Sequence, residues 1–382
     1  MRIDSGNYIN LNRVVIFLIF VIIFMLPINF FRELGLPLDE YLFAAIILIY
    51  YFNYTIKNGK MKVKDLILLP IILYFCIINS TISHLHLIGL IIVDKLIDNE
   101  KTTSEYINTS KILLISLMFV FIYSIIYLGY NDRYIYTGLK EANQGGLTLL
   151  LLFLMIRIKY KNLGNILLIL GLLTFSKSYL LGLCIFFVVN TIINNKSSIA
   201  AKIIVSGLKN FKVLSIISIL LLILISSYFS NLHKLNLLQS YGQGVERFFT
   251  ITDYSNYFRF IVNTNLLEIY KQNPEKLLTG MSSEEFINYN REIAVEGDQA
   301  FREIRPHNYF FSYLRIYGVF SLVIFWYLST IFKRVVVKEN LSIFLIIFSY
   351  IIFLGTGVTS YWLFLSIVTL LFYKKVTIDV RK

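Results

Sequence analysis

Apolar runs follow one another along this chain at intervals too short for a water-soluble core to form between them. A bilayer core needs about 20 apolar residues per crossing helix, and about twelve runs approach that length. They lie near 14–31, 40–55, 65–79, 82–97, 111–129, 145–157, 162–175, 178–194, 213–230, 308–331, 341–354 and 357–373. Composition agrees, since 57% of residues are hydrophobic, 15% are charged and mean hydropathy is +0.69. Soluble domains hold nearer about 25% charged residues. The expected fold is an all-α polytopic membrane protein of about 12 transmembrane helices, one integral membrane domain over 1–382. The first run, Val14 to Phe30, exceeds a signal-peptide core and lacks a small-residue cleavage site, so it is expected to stay as an anchor.

Orientation follows from the lysines and arginines, which favour cytoplasmic gaps. One alternating set of gaps holds Lys57, Lys60, Lys62 and Lys64, then Arg157, Lys159 and Lys161, then Lys196, Lys202, Lys209 and Lys212. The set continues through Lys333, Arg334 and Lys338 to the tail residues Lys374, Lys375, Arg381 and Lys382. Both termini are therefore expected in the cytoplasm. The run at 82–97, with His84, His86, Asp94 and Lys95, reads either as a span or as a re-entrant segment. If it did not cross, every later gap would invert and the basic residues would fall on the wrong side. The net charge of +13 suits a polyanion, yet it is spread over short gaps and forms no aromatic-interleaved patch. Nucleic acid is not an expected partner.

The longest polar stretch, 233–306, is expected outside the cell, where it can fold over the membrane surface. It carries Arg247, Arg259, Arg291, Arg302 and Arg305, and its acidic residues slightly outnumber its basic ones. From Ser255 through Ile269 the spacing predicts a helix at the membrane interface, ending near Asn273-Pro274. Arg259 on that helix is placed to grip a phosphate bidentately, or to snorkel to lipid phosphates. Pro306-His307-Asn308 opens the next apolar run, and a histidine at a water boundary titrates near neutrality and can act as acid or base. Arg315, two turns deeper, is costly in an apolar helix unless it faces a cavity or a partner.

Two further outer gaps add candidates. One runs from Asn131-Asp132-Arg133 to Asn143, with Gly138, Glu141 and the Gly145-Gly146 pair that allows close backbone approach. The other is the short turn Phe175-Ser176-Lys177-Ser178, where a tight turn explains the serines but not the lysine. Cys76 and Cys184 sit in apolar runs and are expected to behave as small hydrophobes. His84 and His86 are two apart and diverge on a helix. No Walker loop, dinucleotide fingerprint, zinc spacing or Asp-x-Asp pair is found, so neither a metal nor a cofactor is expected. Outside the membrane there is no nucleotide pool, and a transfer reaction there needs a donor that is already activated and lipid-carried.

The order Arg133, Gly138 and Asn143, then Thr174-Phe175-Ser176-Lys177, then a large outer loop with Arg247, Arg259, Asn273-Pro274 and Gly280, then His307-Asn308 and Gly318, resembles the O-antigen ligase and Wzy-type polysaccharide polymerase superfamily. The resemblance implies a GT-C-like fold and metal-independent, inverting glycosyl transfer from a polyprenyl-pyrophosphate-linked oligosaccharide. It further implies that Arg259, Arg247 and Arg133 engage the pyrophosphate and that His307 lies at the acceptor side. Asn143, Lys177, Asn308 and Arg315 complete the candidate substrate-binding set. Where relatives have Ser-Arg this chain has Ser176-Lys177, and where Gly-x-Gly is common it has Gly280-Met281-Ser282. Implied partners are the lipid-linked substrates, membrane lipid, and flippase and chain-length regulator proteins. Three alternatives stay open: a ligase that shares the donor, a flippase for the same lipid-linked glycan, and a transferase using Asp39-Glu40 as catalytic acids.

Overall fold

The computed structural model describes residues 62–79, 84, 87–98, 130–131, 134–135, 146–147, 149–151, 153–154, 157, 161–172, 176–194, 211–239, 252, 254–293, 308–337, 340–350 and 369–370. The described part is helical almost throughout. The exception is a two-residue antiparallel ladder, β1 (Tyr130–Asn131) with β2 (Tyr134–Ile135), in the register Tyr130↔Ile135 and Asn131↔Tyr134. The chain divides into two compact units, one of Met1–Thr174 with Ser360–Lys382 and the other of Phe175–Thr359.

In the first unit α1 (Val63–Ile78) and α2 (Ile88–Asp98) form an antiparallel hairpin. At one end Asn79 Nδ2 lies 3.0 Å from His84 Nε2, and at the other both Lys62 and Lys64 bind the fully buried carboxylate of Asp94 at 2.7 and 2.5 Å. The run around 82–97 thus returns to the end of α1 at which that helix began. Burying a carboxylate is tolerable only when it is paired, and two ammonium groups satisfy its two oxygens. The short helix α3 (Lys161–Leu172) belongs to the same unit.

The second unit contains α4 (Lys177–Asn194), α5 (Phe211–Lys234), α6 (Tyr254–Gln272), α7 (Lys276–Thr279), α8 (Ser283–Ile293), α9 (Tyr309–Tyr317), a 3-10 turn (Gly318–Phe320), α10 (Ser321–Val335) and α11 (Leu341–Ser349). Expected runs at 65–79, 162–175, 178–194, 213–230, 308–331 and 341–354 coincide with helices, whereas 14–31, 40–55 and 111–129 and nearly all of 357–373 lie outside the described residues. Among the described residues one helical stretch, Tyr309–Val335 with its break at Gly318, is 27 residues long and apolar enough to cross a membrane. Lys177–Ile192 and Ile219–Lys234 are shorter apolar helices.

Helix α5 carries an apolar face that is left exposed. Leu222, Ser226 and Phe229 are buried on one side, while Ile216, Ile217, Leu220, Leu221, Ile223, Leu224 and Tyr228 are exposed. Leaving that face half uncovered in water would forgo on the order of 5–10 kcal/mol of burial. Isolated exposed apolar residues are ordinary, but seven of them between Ile216 and Tyr228 on one helix are not. The helix ends with Asn236 in the left-handed region at φ 55°, a conformation asparagine tolerates, with Leu237 N donating to Leu232 O at 2.9 Å.

Candidate functional site

The described part of the polar stretch folds into helices that clamp onto the helix following it. Helix α6 begins and ends where its sequence predicts, since proline at 274 stops it. It is not a free surface helix, however. Val262, Leu266 and Ile269 are fully buried, and α6 packs against α5, α8 and α9. Ser226 Oγ of α5 donates to Phe260 O at 2.8 Å, Phe229 stacks on Phe260 at 5.3 Å, and His233 stacks on Tyr257 at 4.6 Å. Asn265 of α6 donates to Asn290 of α8 at 2.8 Å, and Asn290 is fully buried.

The clamp centres on two glycines and one arginine. Gly280 has φ 70° and Gly318 has φ 52°, both in the region where a side chain is strained. A Cβ at Gly280 would stand 1.9 Å from Ile316 O, and one at Gly318 would stand 2.0 Å from Leu277 O. Only bare backbone can approach so closely, and the approach lets Met281 N donate to Arg315 O at 2.7 Å. Arg315 Nη1 returns a hydrogen bond to Met281 O at 3.0 Å. Tyr270 OH adds a third tie, donating to Leu314 O. Burial pushes the Tyr270 phenol well above its usual range, and the nearby Arg315 charge only partly opposes this, so it stays a donor at neutral pH.

Arg315 is therefore 6% exposed and engaged with the backbone of the polar segment. Its isolation in an apolar sequence marked it as functional, and the structure gives it the duty of stapling that segment to α9. Asn308 likewise has a local duty, because its Oδ1 caps α9 by accepting from Phe311 N at 2.7 Å. Tyr309, Tyr313 and Tyr317 follow at helical spacing and are buried; the first two stack at 4.2 Å with their hydroxyls 2.6 Å apart. That aromatic ladder was not singled out from sequence, although its i, i+4, i+8 spacing was visible.

The turn containing the Gly280-Met281-Ser282 departure continues into a capping box. Ser282 Oγ accepts from Glu285 N at 3.1 Å, and Glu285 accepts from Ser282 N at 2.8 Å and from Lys276 at 2.7 Å. Lys276 is raised above its ordinary value by its hydrogen bond to Glu285. Burial pushes Glu285 up, but the bonds from Lys276 and Ser282 outweigh it and leave the carboxyl below its ordinary range.

The remaining candidates divide by what is described. Arg259 lies on α6, in the turn whose Tyr257 and Phe260 face α5. Lys177 is half-buried and is the first residue of α4, where Ser176 Oγ accepts from Tyr179 N at 3.2 Å, so the serine is a helix cap. Arg133, Asn143, Arg247 and His307 lie outside the described residues, as do Asp39 and Glu40. The cysteines Cys76 and Cys184 are both free thiols. Among the described residues no three His, Cys, Asp or Glu side chains gather at metal-binding distance. No family model, curated protein or solved structure matches the chain.

Proposed function

We propose that the chain is a multi-pass plasma membrane glycosyltransferase that polymerises polyprenyl-pyrophosphate-linked oligosaccharide repeat units at the outer face, without a metal. The observation that supports this reading most is the docking of α6, the helix bearing Arg259, onto α9, the helix opened by Asn308 directly after His307. Tyr270 of α6 bonds to Leu314 of α9, so two chemistry-bearing segments distant in sequence belong to one body. The exposed apolar face of α5 supports the membrane part of the reading.

In the proposed step His307 takes the proton of an acceptor hydroxyl, and that oxygen attacks the anomeric carbon of the donor. The carbon–oxygen bond to the diphosphate breaks with inversion, and the polyprenyl diphosphate leaves with the electron pair. Arg259, Arg247 and Arg133 stabilise its developing charge, as preformed cations do for departing anions. Arg315 acts as a positioning residue through Met281. Arg259→Ala is expected to abolish chain extension at unchanged protein level and insertion. Full-length polymer in that variant would reject the assignment. Surface glycan analysis after deletion separates the neighbouring readings: single repeat units retained mean a polymerase, unattached lipid-linked polymer means a ligase, and substrate trapped on the inner leaflet means a flippase.

A further inference from the structure

We infer that the base of the polar segment is seated inside one leaflet of the bilayer, with lipid acyl chains as the occupant of its exposed apolar surface. This rests on the membrane part of the reading above and not on the transfer chemistry. The apolar stretch Tyr309–Val335 breaks at Gly318, and the part after the break, Gly318–Val335, is about 26 Å long at 1.5 Å per residue, against a hydrocarbon thickness of about 30 Å. Its basic last turn, Lys333 and Arg334, marks the water boundary at one end, so Gly318 falls towards the other. That is the end wrapped by α6 and α7.

Depth can then be read along two helices. Gly318, where α7 touches the helix backbone, lies about 22 Å from Lys333 along the axis. Ser226, where α6 touches α5, lies about 21 Å from Lys212. Both contacts therefore fall about 8 Å inside the far edge of a hydrocarbon slab about 30 Å thick, and a tilt of about 20° shifts them by only about 1 Å.

The exposed side chains of α7 at that level are leucines, preceded by an exposed Glu275 that must reach back towards the headgroups. Leu278 is 58% exposed and Leu277 is 39% exposed on α7, and Leu267 is exposed on α6. The 3-10 turn, against which α7 packs, and α10, which continues from it, expose Val319, Leu322 and Trp326 at spacings of three and four residues. The apolar surface of α7 thus adjoins the exposed face of the apolar helix, and the same medium must cover both.

The test uses the full chain with Cys76→Ser and Cys184→Ser, reconstituted in phosphatidylethanolamine–phosphatidylglycerol vesicles and carrying a nitroxide at Leu278→Cys. Leu277→Cys provides a second site, Leu322→Cys the lipid reference and free label in buffer the aqueous limit. Oxygen is expected to relax the label at 277 and 278 as it does at 322, with an oxygen-to-nickel-chelate accessibility ratio several-fold above the aqueous limit. Nickel chelate reaching both sites freely would overturn the inference, as would protection from both reagents, which would mean that protein covers the surface. A lipid-like ratio in a protein that forms no polymer would reject the transfer reaction while leaving the seating intact.

Discussion

Gly318→Ala tests the clamp most directly. A Cβ there meets Leu277 O at 2.0 Å, whereas ordinary contact begins at 3.4 Å, so the backbones of α7 and the 3-10 turn must part by about 1.4 Å. The new side chain also sits at φ 52°, which costs about 1–2 kcal/mol by itself. Parting the backbones stretches the 2.7 Å bond from Met281 N to Arg315 O beyond bonding distance and removes about 1 kcal/mol. The charged bond from Arg315 to Met281 O is worth about 1.5–3 kcal/mol and would be strained with it. Local docking should therefore weaken by about 3–5 kcal/mol, while α5 and α10 keep their own packing. Hydrogen exchange at the Met281 amide should accelerate by a factor of about 10² or more, and trypsin should cut after Lys271 or Lys276 sooner than in the parent chain. Unchanged protection at Met281 would refute the claim that bare backbone contact at Gly318 holds the segment in place.

Tyr270→Phe should cost about 0.5–1.5 kcal/mol in the same exchange assay, less than the glycine change, because Leu314 O keeps its bond from Gly318 N. Asp94→Ala should lower the thermal midpoint far more than Lys62→Ala. The first leaves the mostly buried Lys64 ammonium without its carboxylate, a loss of about 3–5 kcal/mol for buried pairs, whereas Lys62 is 33% exposed. The Lys276–Glu285 tie has a defined pH window. Glu285 titrates below its ordinary value of 4.5 when folded, so its contribution is complete above that pH and is lost as pH falls through the folded value. Lys276 titrates above 10.5, so its contribution is lost only as pH rises past that range. Cleavage of the segment by pepsin near pH 3 should therefore exceed that expected from a pH-flat Glu285→Gln control. With Glu285 45% exposed the difference stays below about 1 kcal/mol.

How much was legible in advance depended on the range of the forces involved. Apolar run length located α1, α3, α4, α5 and α10 as helices, because hydropathy is a local property of consecutive residues. Proline at 274 likewise announced the end of α6, since a missing N–H and a blocked φ act on adjacent residues. By contrast, the break at Gly318 looked like the middle of a span, and only its contact with Leu277 explains why glycine stands there. Arg315 was visible as an expensive charge, but the partner that makes it tolerable, the Met281 carbonyl, lies 34 positions away in sequence. Asp94 was equally visible within an uncertain span, and its two lysines, some 30 residues upstream, decided that α2 returns along α1. Hydropathy and turn chemistry are written residue by residue, whereas charge pairing and backbone-to-backbone contact depend on which segments meet, and that is set only when the chain has folded.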